Sequence, residues 1–323
     1  MVAAVTVGKN GVAEMAYTGE KPWHGLGQSL KKGAPLEVWQ TAAGMDWLVK
    51  RSRVRYGAGE QQQTWDQHHV LFRSDTKQPL GLVSKDYKIV QPKEVIEFYR
   101  DLCGEGGFDM ETAGTLFDGR IFWALASVGD KASILDKADK VGGYLLLSTS
   151  ADGTMKTTAK FTTVRVVCNN TLTMSLQGGG HRVQLSHRSV FDPNALKDQL
   201  GIARGEFSAF IKAAKQLAQI TVADDKATKF VATLLTGDPK LNDEQTAKVA
   251  TTDGYRKIMA LFDGQAQGSQ FAGVQGTAWG LVNAVTEYVD HHRGNTQQTR
   301  LHHAWFGAGD KLKTEALHHA LAL

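Results

Sequence analysis

Apolar and polar residues alternate along much of the first half of the chain and give way to three- and four-residue spacing in the second. From His69, the runs HVLFRS and LGLVSKDYKIV alternate with the two-residue period of half-buried strands. Pro92 then opens a short helix, KEVIEFYRDLC, with Val95, Phe98 and Leu102 on one face and a stop at Gly104. Residues 109–116, 119–128 and 143–150 read as strands, with tight turns expected at Asp118-Gly119 and Asp152-Gly153. TMKTTAKFTT continues as a further strand. The next run, TVRVVCNNTLTMSL, is predicted to be a helix burying Val164, Val167, Thr171, Leu172 and Met174, although its β-branched residues also suit the start of a strand. Gly178-Gly179-Gly180 leads out to a short basic strand, HRVQLSHRSVF.

Asp192-Pro193 reads as an N-cap followed by proline at the first helical position, and helix is expected from there to about Gln219. Further helices are expected near 224–236, 241–263, 277–293 and 310–322, separated by Gly237-Asp238-Pro239 and by the Gly- and Gln-rich segment 264–276. In TAWGLVNAVTEYVDHHR, Trp279, Val282, Val285, Thr286 and Val289 fall at helical spacing, so this helix is expected to close a core with one apolar face. Ahead of His69 lie a helix over Pro35–Ala43, an ordered loop at PWHGLG and a basic knot at Lys50, Arg51, Arg53 and Arg55. The expected fold is α+β. An antiparallel β-meander packed on helices fills residues 1–191, with a basic β-β-β-α core, and a mainly helical region follows over 192–323.

Composition narrows the class. A chain of 323 residues with 42% hydrophobic and 22% charged content is that of a globular protein with a substantial core. It has no run of eighteen apolar residues, and MVAAVTVGKNG lacks a basic n-region, so neither a membrane span nor a secretory signal is expected. Two cysteines, Cys103 and Cys168, are too few for a disulfide framework, which points to the cytoplasm.

Charge adds a location. The formal net charge is only +4, and residues 1–150 balance 18 basic against 18 acidic side chains. Residues 151–220 hold 9 against 4, and residues 221–323 hold 10 against 11. From Gly153 to Phe191 there is no Asp or Glu, while Lys156, Lys160, Arg165, Arg182 and Arg188 all fall inside. Positive potential without competing carboxylates suits a polyanion. Interleaved Thr154, Thr157, Thr158, Thr162 and Thr163 offer hydroxyls to phosphate oxygens, and Asn169 and Asn170 offer amides. Trp123, Tyr144 and Phe161 are base-stacking candidates, with core packing the commoner role for such rings.

Other chemistry is thinner. Four His-His pairs occur, at 68–69, 291–292, 302–303 and 318–319, but adjacent histidines on a helix point about 100° apart and rarely chelate one ion. Glu287, His291 and His303 would converge only if the last helices pack together. Cys168, with His181 or His187 as base, is the one thiol candidate, against the commoner role of a buried small residue. Ser29-Leu30-Lys31-Lys32 matches S-x-x-K without its companion motifs. There is no phosphate-binding G-x-x-x-x-G-K-[ST] loop, so no nucleotide or other cofactor is implied.

The segments PWHGLG, RSDTKQPLGLVSKDYKIVQ, ETAGTLFDGRIFWALA, YLLLSTSADGT, FTTVRVVCNNTL, GTAWGLVNAVTEYVDH and AWFGAGDKLKTEAL resemble a phage/plasmid-like family of unknown function. The resemblance covers nearly the whole chain and implies a setting of phages, prophages and conjugative plasmids. It carries no catalytic residues. In that setting, a basic meander followed by a helix resembles in topology the core of phage single-strand annealing proteins. The expected function is therefore ATP-independent, non-enzymatic binding of single-stranded DNA in recombination or replication, by an oligomer forming a ring or filament. The alternatives are a protein that binds a host factor, since a basic face also suits an acidic protein, and an enzyme with a pocket in the α+β body.

Overall fold

A computed structural model describes residues 6–8, 11–19, 26–58, 61–165, 170–173, 182–185, 205, 207–294 and 297–323. The larger sheet runs β10-β9-β8-β7-β6-β1-β2, with β11 also paired to β9. Its strands are β1 (Met15–Thr18), β2 (Gln28–Leu30), β6 (Asp109–Leu116), β7 (Ile121–Ser133), β8 (Lys140–Ser150), β9 (Thr157–Arg165), β10 (Asn170–Thr173) and β11 (Arg182–Leu185). The smaller sheet is β3 (Val49–Ala58), β4 (Gln61–Arg73) and β5 (Pro79–Ser84), in that order. The fold is mixed α+β, with antiparallel pairing throughout the meander and mostly helix toward the C-terminal end. The short β1–β2 pair is parallel.

The chain forms two compact units built from interleaved segments. One comprises 1–127, 145–160 and 182–197, the other 128–144, 161–181 and 198–323. In the first unit, α1 (Leu36–Ala42) and α2 (Pro92–Gly106) pack on each other and on the sheet. The local signals at α2 act as expected: Gln91 and Glu94 form a capping box, Pro92 follows the cap, and Gly107 closes the helix at φ 70°. The helix thus runs to Gly106, past the stop expected at Gly104. Its buried face is Val95, Ile96, Tyr99 and Leu102, while Phe98 is only half-buried. The β6–β7 turn requires positive φ at Asp118 (58°) and Gly119 (90°), which matches a tight hairpin turn. A side chain at Gly119 would also strike the Trp47 ring.

A buried ion network sits in this unit. Arg73, 3% exposed, meets Glu14 through both terminal nitrogens (3.0 and 2.8 Å) and Asp75 through Nε and Nη2 (3.0 and 2.8 Å). Its guanidinium lies over Trp47 at 4.3 Å, and the Thr115 hydroxyl donates to Glu14. Burial alone would weaken the Arg73 charge, but hydrogen bonds to Asp75 and Glu14 more than offset it and raise its pKa.

The described helices of the second unit are α3 (207–217), α4 (Asp224–Thr236), α5 (Asp243–Ala250), α6 (Asp253–Ala260), α7 (Ala278–Glu287), α8 (Gln297–Phe306) and α9 (Ala308–Ala320). Single π-helical turns follow α6 (Leu261–Gln265) and α7 (Tyr288–His292). The helix expected over 241–263 is broken: Asn242 caps α5 and Thr252 caps α6. Rather than presenting one apolar face, α7 is buried at all ten positions. Two of its polar residues bond back to the helix itself, Asn283 donating to the Trp279 carbonyl and Thr286 to those of Val282 and Asn283.

The largest departure from expectation is at TVRVVCNNTL. Its described residues are strand, with Arg165, Val164, Thr163 and Thr162 facing Asn170, Thr171, Leu172 and Thr173 across an antiparallel pair. Thr and Val crowd a helix at the first side-chain torsion but fit a pleated surface, and here that preference prevails. The helix of the predicted β-β-β-α core is therefore replaced by β10 over Asn170–Thr173.

Candidate nucleic-acid interface

Strand β9 carries two of the five predicted cations, Lys160 and Arg165. Lys156 is exposed just ahead of it. Lys160, by contrast, is only 6% exposed, and Thr158, Thr162 and Thr163 are buried with it. The Thr158 hydroxyl shares a 2.7 Å hydrogen bond with Ser148, and Thr157 shares one of 2.9 Å with Thr149. These two hydroxyls link β9 to β8, and the exposed Thr154 donates to Asp152 at 2.6 Å, so these three threonines of the phosphate-binding pattern already have partners within the protein.

The register gathers residues from separate parts of the window. Antiparallel pairing sets Arg182 opposite Lys160, and Asn170 opposite Arg165. Residues directly opposite on such a pair are near neighbours, so β10 and β11 each bring one predicted residue alongside one on β9. Asn169 and Arg188 lie outside the described residues. Trp123 and Phe161 are buried core, as is Tyr144.

β10 is fixed from a distance. The Thr171 amide donates to Asp290 Oδ2 at 2.6 Å and its hydroxyl to the same oxygen at 3.1 Å. Lys313 Nζ on α9 reaches Asp290 Oδ1 at 2.6 Å and Thr171 Oγ1 at 2.8 Å. Lys313 is 1% exposed, and the described contacts of its ammonium are to Asp290 and Thr171. No local signal links residues 171, 290 and 313, and sequence reading missed all three roles.

The remaining candidates separate cleanly. Cys168, His181 and His187 lie outside the described residues. Cys103 is buried, and desolvation, with Asp109 adding to it, pushes its thiol up to about 12, which leaves it inert near neutral pH. Lys32 of the S-x-x-K match is paired with Asp109 at 2.7 Å, and that hydrogen bond raises its pKa. Among the described residues no group of three or more His, Cys, Asp or Glu side chains is arranged to hold a metal ion. Glu287 instead accepts the Gln267 amide at 3.0 Å. A cavity of about 160 Å³ occurs among the C-terminal helices, lined by Val289, Arg293, Thr299, Arg300, His303 and Gly309. The Arg300 guanidinium there donates to the Arg293 and Gly294 carbonyls, both at 2.9 Å. No helix among the described residues is long and apolar enough to cross a membrane.

One basic region was read from the sequence only as a knot and given no role. On β3, Lys50, Arg51, Arg53 and Arg55 are all exposed, and none makes an ion pair among the described residues. The neighbouring strand β4 adds an exposed Trp65.

The fold and this surface define a mixed α+β protein with cationic strands. The chain belongs to the family described as domain of unknown function DUF932, whose model matches residues 79–305. No curated protein and no solved structure matches it. The matched span begins with β5 and reaches into α8, and β3 and β4 precede it.

Proposed function

We propose that this protein binds single-stranded DNA without ATP or catalysis, as a phage- or plasmid-borne annealing protein working as a ring or filament of identical copies. The observation that carries the reading is the pairing along β9, where Arg182 stands opposite Lys160 and Asn170 opposite Arg165 in a segment free of acids. Lys156 contacts phosphate from its exposed position, and Arg165, Arg182 and Arg188 extend that contact, with Asn169 and Asn170 adding hydrogen bonds. Lys160 is a positioning residue in this account, because it is buried. The antiparallel meander supports the likeness to annealing proteins at the level of architecture.

The test is the affinity of the full-length protein for a labelled single strand across a salt series, together with electron micrographs with and without DNA. Counterion release makes affinity fall steeply as salt rises, and rings or filaments grow on the strand. Undetectable binding, or affinity indifferent to salt, overturns the proposal.

A further inference from the structure

We infer that the β3–β4 ribbon is a second site for single-stranded nucleic acid, in which Tyr56 and Trp65 stack on unpaired bases while Lys50, Arg51, Arg53 and Arg55 neutralise phosphates. The ligand class rests on the reading above, but the residues are different ones.

The ribbon has a buried root and an open tip. At the root, Val49, Leu71, Leu80 and Val83 are buried and Arg73 is locked by its carboxylates. β5 pairs with β4 only over 68–72, so beyond Arg53 and His68 just two strands continue. Every described residue over 55–58 and 61–67 is exposed. Two-stranded hairpins are marginal in water, and a tip that buries nothing contributes little to the stability of the fold. Its residue types therefore answer to something other than the core.

Those types are specific. The register sets Trp65 opposite Val54 and Gln63 opposite Tyr56, so both aromatic rings lie on the same face, on diagonal positions of adjacent pairs. Trp65 is 42% exposed and Tyr56 54%. Trp65 rests on His68 with centroids 3.9 Å apart, and the Tyr56 hydroxyl donates to Gln63 at 2.8 Å. Both rings are thus held in place with area left to share. Arg51, Arg53 and Arg55 alternate with Val54 and Tyr56 along β3 and so stand on the face opposite the rings; β3 is an edge strand of the sheet, and their long side chains reach phosphates around that edge. Asp66 is the only acid among the described residues of the two strands. Cations on an edge strand also deter edge-to-edge pairing, but an exposed Trp and Tyr beside them would invite association, so edge protection accounts for only half the pattern. Duplex DNA keeps its base faces stacked inside; a single strand offers them to such rings.

The test measures binding of labelled oligo-dT and oligo-rU to the full-length protein by fluorescence anisotropy across a salt series. Tyr56→Ala with Trp65→Ala should weaken binding by about 10-fold or more, whereas Trp65→Phe, which keeps a ring, should retain it. Arg51→Gln with Arg53→Gln and Arg55→Gln should lower the slope of log K against log salt by about 2, from ~0.7 per phosphate contact on a single strand. The same charge change at exposed Lys226, Lys229 and Lys240 should leave the slope unchanged. Loss in either oligonucleotide supports the site and identifies its nucleic acid. Wild-type binding with unaltered ribbon variants overturns this inference alone; absence of wild-type binding overturns it together with the proposed function.

Discussion

β3 and β9 are both strands rich in basic residues, and they use those residues in opposite ways. On β3 the cations stand in solvent without carboxylate partners among the described residues, on a ribbon whose described residues bury almost nothing beyond its root. On β9 the central lysine is interior, and Thr157 and Thr158 before it bond to β8. A cation on an outer strand adds to surface potential, whereas one inside a sheet is part of the packing. Excess charge in a sequence therefore does not locate a binding surface until burial is known.

The comparison is sharpest where charge is deepest. Replacing Lys313 with Met leaves Asp290 buried without its cation and frees β10, and should lower stability by about 3–5 kcal/mol in chemical denaturation. Arg73→Met should fall in the same range of about 3–5 kcal/mol, because Glu14 loses its bidentate partner. Unfolding curves that match wild type for either variant would show that these pairs are not what fixes the interior. For β9, Lys160→Ala should remove about 1–3 kcal/mol, as a buried polar residue does. On β3, Arg53→Ala and Trp65→Ala should each stay within about 0.5 kcal/mol. Equal losses on the two strands would erase the contrast.

A smaller effect concerns pH. Burial acts to raise the Asp75 pKa, but its hydrogen bond with Arg73, backbone hydrogen bonds and the Arg73 charge outweigh it, so the carboxyl sits below its ordinary value of 3.8. A depressed folded-state pKa gives stability that is complete above the unfolded value and is lost as pH falls through the folded one. Denaturation midpoints should thus drop below about pH 4, and Asp75→Asn should flatten part of that drop. An identical pH profile in the variant would remove Asp75 from the network's energetics.

Short-range chemistry was legible in the sequence. The Asp118-Gly119 turn, the Pro92 helix start and the last helix near 310–322 all follow from signals within a few residues. What failed depended on distant partners. Helix over 164–174 was a reasonable pattern, yet Thr162–Arg165 pairs with Asn170–Thr173, and Asp290 and Lys313 hold Thr171 from more than a hundred residues away. α7 gives way to a π turn at Tyr288 just where Asp290 must face Thr171. In the candidate site, charge could be read from residue types but exposure could not, because Thr and Lys alternate alike on an open strand and on a covered one. The knot at Lys50–Arg55 was visible as charge. Its aromatic partner Trp65 became part of the same surface only through the β3–β4 register.

The most direct test of the account is the salt dependence of wild-type affinity for a labelled single strand. The account predicts a straight fall of log K with log salt, of about 0.7 for each phosphate engaged, with several engaged at once. A flat line, or no binding at low salt, would contradict it.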